Sequence, residues 1–197
     1  MAKQRRGEDT VDRVLAAALS LYEEHGAKGL TMTALIEATG VSSGSLYHHF
    51  ESLEGLAAAL YSRCMGELLD SLAAALARSR SARTGVRAFV EAYLTFVQEH
   101  RAAADFILSS PYAGLMAAHA ERIAADKSVH MRPIAEWLAR QVEAGELIAL
   151  PDPLTEMLVV GPVAETVRRS LAGDPGIDLA VAARLLPERI WAALRTA

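Results

Sequence analysis

From Val11 onward the apolar side chains return at helical spacing: Val11, Val14, Leu15, Ala18, Leu21 and Tyr22 fall on one face of a helix. The same spacing recurs to the end of the chain, and strand-like runs of Val, Ile and Thr are nearly absent. This periodicity constrains the fold more than any other feature. A stripe repeating every 3.6 residues matches a helix face, whereas a strand buries alternate residues. Composition points the same way. Hydrophobic residues make up 52% of the 197 residues but aromatics only 6%, and the balance is Ala and Leu, which suit helix–helix packing. The expectation is an all-α fold, in one large or two small domains.

Punctuation divides the chain into about nine helices. Asp9 or Thr10 is placed to cap the first helix and Gly26 to end it; Thr31 or Thr33 caps a second that stops at Gly40. Ser42 can cap a third helix running through Phe50, and Ser52 a long fourth reaching about Ser79. A fifth helix carries Val86, Phe89, Val90, Tyr93, Leu94 and Val97, and a short one covers about 102–109. The remaining stretches are about 115–144, 154–172 and 177–194. Pro133, Gly161-Pro162 and Pro187 are expected to kink or interrupt them. The expected domains are a three-helix unit, 1–51, and a larger helical domain, 52–197.

The third helix has the most telling surface. At about 100° per residue, Leu46 and Phe50 fall together and face the small domain's core. Gly44, Ser45 and His48 lie opposite, with Tyr47 and His49 on the flanks. Small and hydrogen-bonding residues on an outer face let a helix enter a major groove and reach base edges. Tyr47 and His49 can then donate to phosphates on the groove walls, which fixes register. Thr31 and Thr33 begin the preceding helix, where free amides and the helix dipole favour a phosphate. The net charge of −4 is weak evidence against DNA, because the local field decides. Lys3, Arg5 and Arg6 stand near the N-terminus without an acidic neighbour, as a docking arm or a solvated leader.

Residues 31–50, TMTALIEATGVSSGSLYHHF, resemble the DNA-binding signature of the TetR family, in which a threonine-led helix leads through Gly-Val-Ser to a Leu-Tyr-x-His/Tyr-Phe recognition helix. The resemblance covers about residues 10–56; beyond residue 60 it is architectural. It implies backbone contacts from Thr31, Thr33, Ser42, Tyr47 and His49, and places Ser43, Gly44, Ser45 and His48 nearest the bases. It also implies a helix-turn-helix at about 31–50, followed by a ligand-binding and dimerisation domain. One departure stands out. The family usually has a phosphate-contacting lysine at the start of the fourth helix, where this chain has Leu53.

Other signals are weaker. Phe89, Tyr93, Phe96, Phe106, Tyr112, Met116, Met131 and Trp137 fall in the helices that enclose an effector cavity in TetR-like proteins, though such residues at helical spacing are more often plain core. Gln98, His119, Arg122 and His130 are interleaved polar residues that could orient a ligand there. In the last two helices Leu154, Leu158, Val159, Val163 and Val167, then Leu185, Leu186, Ile190, Trp191 and Leu194, form apolar stripes beyond what one bundle consumes. They suggest a two-fold interface. Gly40–Gly44 formally matches the G-x-S-x-G nucleophile elbow, but that motif needs a strand before it and a helix is expected there. No metal-ligand spacing occurs among the six histidines, and no cofactor is implied. A lone Cys64, a charged N-terminus and no membrane-length apolar run suit a cytoplasmic protein.

The expected function is that of a homodimeric DNA-binding transcriptional repressor, not an enzyme. It would bind a near-palindromic operator of double-stranded DNA and be released by a small-molecule effector. The rivals are an all-α enzyme using the C-terminal cavity, which turnover of a bound compound would reveal, and a helical protein-binding adaptor, which DNA binding would exclude.

Overall fold

A computed structural model describes the backbone of residues 2–109 and 115–196, with side chains described for 7–108, 117–151 and 154–196. Nine α-helices occur among the described residues: α1 Ala2–His25, α2 Met32–Thr39, α3 Ser43–Phe50, α4 Leu53–Ala77, α5 Ala82–Glu99, α6 Arg101–Ser109, α7 Ala120–Glu143, α8 Asp152–Leu171 and α9 Leu179–Leu194. The only pairing between extended residues described is an isolated bridge, Leu147 to Arg195, that ties the end of the chain to the α7–α8 loop.

The short helices are delimited by the capping residues the sequence offers. Thr31 Oγ1 accepts from the Ala34 amide at 3.1 Å, Ser42 Oγ from Ser45 at 3.2 Å, and Ser52 Oγ from Gly55 at 3.1 Å. Each cap is worth about 1 kcal/mol. Gly40 ends α2 in the left-handed region at φ 66, which favours glycine.

The start of α1 and the continuity of the later helices depart from expectation. α1 does not begin at Asp9 or Thr10 but runs from Ala2, because nothing but Gly7 in 2–9 opposes a helix and glycine costs only about 1 kcal/mol there. Lys3, Arg5 and Arg6 therefore sit on the first turns of a helix. Pro133, Pro162 and Pro187 do not split α7, α8 or α9. The carbonyls four residues before Pro133 and Pro162 belong to the exposed Val129 and Leu158, which lie on the solvent side where water can take up a lost backbone bond.

One hydrophobic core runs through the described chain, from Val14 to Leu194. α1 packs on α6 through Tyr22, whose ring meets Phe106 edge-on at 4.9 Å and whose hydroxyl donates to Asp105 at 2.8 Å. Arg63 of α4 donates to the Asp12 carbonyl at 3.1 Å, which anchors α4 to α1. Burial pushes the Cys64 thiol up to about 12, so it acts as a small apolar side chain.

Candidate nucleic-acid interface and ligand cavity

α3 is only eight residues long, too short to be stable alone, so its neighbours decide how it is presented. Leu46 and Phe50 are buried at 0% and 4% exposure and pin it to the core. Ser43, Gly44 and His48 are exposed, Ser45 and His49 are half-buried, and Tyr47 stands 50% exposed. Thr31 and Thr33 are exposed at the start of α2. Ser42 is exposed but its oxygen is engaged as the α3 cap, and it follows a helix rather than a strand. A nucleophile elbow is thereby ruled out at this position.

The exit from α3 is tightly built. Glu51 adopts φ 63, ψ −45, and the Ser52 amide donates to the Phe50 carbonyl at 2.7 Å. This is a γ-turn of the strained kind, one that non-glycine residues seldom adopt. A Cβ on Gly55 would overlap the same Phe50 carbonyl oxygen. Glycine at 55 thus lets α4 start directly beneath the end of α3. Leu53, where the family pattern has lysine, is partly buried against the core.

α1 passes on the other side. A Cβ on Gly7 would lie 3.8 Å from His49 Cε1, so the basic first turns of α1 begin next to the flank of α3. No reading of the residues alone placed them there, because α1 was expected to start later.

A second concave feature lies in the C-terminal part. Residues of α4 to α9 line a partly open cavity of about 650 Å³, within the usual range for small-molecule sites. Of the aromatic and methionine residues singled out in the sequence, Phe89, Tyr93, Met131 and Trp137 line it. The others do not all meet there. Phe106 is completely buried as the α1–α6 joint. Phe96 stacks by the His100 ring at 4.9 Å and lines a shallow groove between α4 and α5 instead. Tyr112 lies outside the described residues, as does the side chain of Met116.

The polar candidates also went elsewhere. His119 lies against the first turn of α4, where a Cβ on Gly55 would be 3.7 Å from its Cε1. Arg122 donates to the Gly55 carbonyl at 3.2 Å, His130 pairs with Asp70 at 2.7 Å, and Gln98 is exposed. Arg122 and His130 look inward or outward depending on how α7 rotates over α4, which no local spacing states. The polar groups that do line the cavity include Tyr61, Lys127, Thr155 and Glu156. Tyr61 had a legible signal: with Met65, Leu68, Leu72 and Leu76 it forms a stripe on α4 separate from Leu56, Leu60 and Cys64.

The apolar stripes of α8 and α9 divide between two tasks. Val159, Val163, Val167, Ile190 and Leu194 are buried in the chain's own core, and Leu186 and Trp191 pack partly against it. Leu154, Leu158 and Leu185 remain exposed, joined by Met157 and Val181, at 36–65% exposure. Among the described residues no three His, Cys, Asp or Glu side chains gather to hold a metal, and no helix is long and apolar enough to cross a membrane.

Comparison with known proteins falls on the same N-terminal region. Residues 14–60 match the family model described as bacterial regulatory proteins, tetR family. The HTH-type transcriptional regulator UidR of Escherichia coli is 34% identical over 83 residues, 42% of this chain and 39% of that protein. The matched part thus spans about two fifths of the relative's length. Solved structures extend the likeness to nearly the whole fold. A TetR family transcription regulator from Marinobacter aquaeolei superposes with a TM-score of 0.75 at 19% identity, covering 98% of this chain and 100% of that one. FadR from Bacillus subtilis, in complex with stearoyl-CoA, gives 0.70 at 16% identity, covering 90% and 96%. The stretch that matches the tetR family of bacterial regulatory proteins, residues 14–60, contains α2, α3 and the turn between them, and the fold as a whole is similar to that of solved TetR family regulators.

Proposed function

We propose that this protein is a DNA-binding transcriptional repressor that acts as a homodimer on a near-palindromic operator and is released by a small molecule. The observation that carries the reading is the outward face of α3: Gly44, Ser45 and His48 can reach a groove floor because Leu46 and Phe50 are held inside. In this reading Tyr47, His49, Thr31, Thr33 and Ser42 meet the phosphate backbone, and Ser43, Gly44, Ser45 and His48 lie nearest the bases. Residues 1–51 serve docking and 52–197 serve ligand binding and assembly. The helical start of α1, with Lys3, Arg5 and Arg6, stands in for the phosphate contact that Leu53 cannot make.

The exposed apolar set on α8 and α9 supports a two-fold interface. A dimer would present two α3 helices about 34–36 Å apart, one turn of B-DNA. The FadR neighbour's stearoyl-CoA supports a small-molecule ligand for an architecture of this kind. Release follows from α7, which both walls the cavity through Met131 and holds α4's first turn through Arg122. A ligand that displaces α7 shifts the carbonyl of Gly55, and α3 with it. It must bind the two arrangements with different free energies.

Selection of bound duplexes from random DNA tests the core of this. A two-fold symmetric motif is expected. Tyr47→Ala should weaken binding to every sequence about tenfold, while Ser45→Ala and His48→Ala change base preference. Binding indifferent to both Tyr47→Ala and His48→Ala would refute the assignment of α3 as the reading helix.

A further inference from the structure

Two phenols line the cavity, Tyr61 and Tyr93. Tyr93 is only 3% exposed, lines the cavity, and makes no hydrogen bond to any described residue. Tyr61 lines the same cavity one helix away, and its hydroxyl likewise makes no hydrogen bond to a described residue. Neither hydroxyl is sealed off, since the one fully enclosed side-chain oxygen without a partner among the described residues is Ser62 Oγ; both phenols are open to a polar group brought into the cavity. The surrounding wall is apolar, built from Leu68, Leu72, Phe89, Met131 and Trp137 among others.

Charge in the cavity is confined to its edge. Lys127 is paired with Glu156 at 3.1 Å, with the two side chains 37% and 50% exposed, so they neutralise one another in contact with solvent. Glu143 also lines the cavity, so the described lining residues carry no surplus positive charge to hold an anion. Burial pushes the Tyr93 phenol up to about 12, with a smaller contribution from neighbouring Tyr61, and burial raises Tyr61 against the opposing charge of Lys127. Both hydroxyls therefore keep their protons near neutral pH and are free to donate.

We propose that Tyr61 and Tyr93 form a hydrogen-bond-donating subsite, and that the cavity takes a neutral, largely apolar ligand carrying a carbonyl-type acceptor. The inference rests on the ligand-responsive reading above and narrows the chemistry of the ligand. A ketone, ester or lactone oxygen satisfies both phenols while its hydrocarbon body covers the leucine and aromatic wall. An ammonium head carries no acceptor for the two phenolic protons, and the Glu143 carboxylate that could attract it stands at the exposed edge. A carboxylate loses its hydration without a free cation to replace it.

The test compares 2-decanone, decanoate and decylamine, which share a chain length and differ in the head, by calorimetry and by fluorescence of Trp137. The ketone is expected to bind about tenfold tighter than the amine. Tyr93→Phe and Tyr61→Phe should each lower ketone affinity about fivefold and leave the amine unchanged. The thermal midpoint of ligand-free Tyr93→Phe should be equal to or above that of the parent, because the hydroxyl removed had no protein partner. Equal affinities for all three heads, a carboxylate preferred to the ketone, Tyr→Phe variants that bind the ketone as before, or no binding of the ketone would each overturn the proposal. Binding of the selected duplex by the same preparations separates the two readings. Duplex binding without a ketone preference sinks the subsite alone, and a ketone preference without duplex binding sinks the repressor.

Discussion

α3 and the cavity are two kinds of site built by the same chain. The face of α3 comes from one run of eight residues, so the order of its side chains around the helix is set by local geometry. The cavity draws on α4 to α9, with lining residues from Tyr61 to Leu194, and its shape depends on how these helices rotate against each other. A contiguous site is presented by a few pinning contacts. A composite site exists only while the packing of several helices holds. Damage should therefore strike the two unequally, with the Arg122–Gly55 contact as the link between them.

The largest effect is expected at Gly55. Its neighbour is a backbone carbonyl, which cannot turn aside as a side chain can. Gly55→Ala should cost about 3 kcal/mol and loosen the α3–α4 junction, abolishing duplex binding while the cavity still takes ligand. Denaturant unfolding and the two binding assays check this. Ligand binding lost together with duplex binding would show the two regions to be one cooperative unit.

Gly85 is the counterpart on the cavity side. A Cβ there would overlap the Trp137 ring, a side chain that can shift, so Gly85→Ala should cost about 1–2 kcal/mol. Trp137 fluorescence and ligand affinity should change, with duplex binding retained. Ser42→Ala removes the α3 cap and should cost about 1 kcal/mol, read by thermal melting, with the cavity unaffected.

The smallest effect concerns neither site but the seam between α5 and α9. Hydrogen bonds from Arg83 and then Arg87, at 2.9 and 2.6 Å, hold the Glu188 carboxyl below its usual value of 4.5. A carboxyl whose folded pKa is depressed contributes stability above the unfolded value and loses it as pH falls through the folded one. The midpoint difference between the parent and Glu188→Gln should thus be present at pH 7 and vanish well below pH 4.5. A difference that persists in acid would mean the charge is not what the seam uses.

Much of the fold was legible residue by residue. Thr31, Ser42 and Ser52 cap the helices they were expected to cap, since a cap is a bond between residues three apart. Leu46 and Phe50 point inward and His48 outward for an equally local reason. The starting point of α1 was not legible, because two good caps at Asp9 and Thr10 mask a stretch that simply continues as helix. Nor was the composition of the cavity. His119 and Phe106 share the helical spacing and chemistry of true lining residues, yet one braces α4 and the other joins α6 to α1.

Taken by itself, the order of amino acids determined that the chain is helical, where most helices stop, and which side of α3 is offered to a partner. All three follow from interactions within a few residues. Tertiary packing alone decided that Gly7 lies beside His49, that Arg122 grips the first turn of α4, and that Tyr61 and Tyr93 share a cavity. Those relations depend on the rotation and depth of whole helices, which the total burial of apolar surface selects and no short stretch encodes.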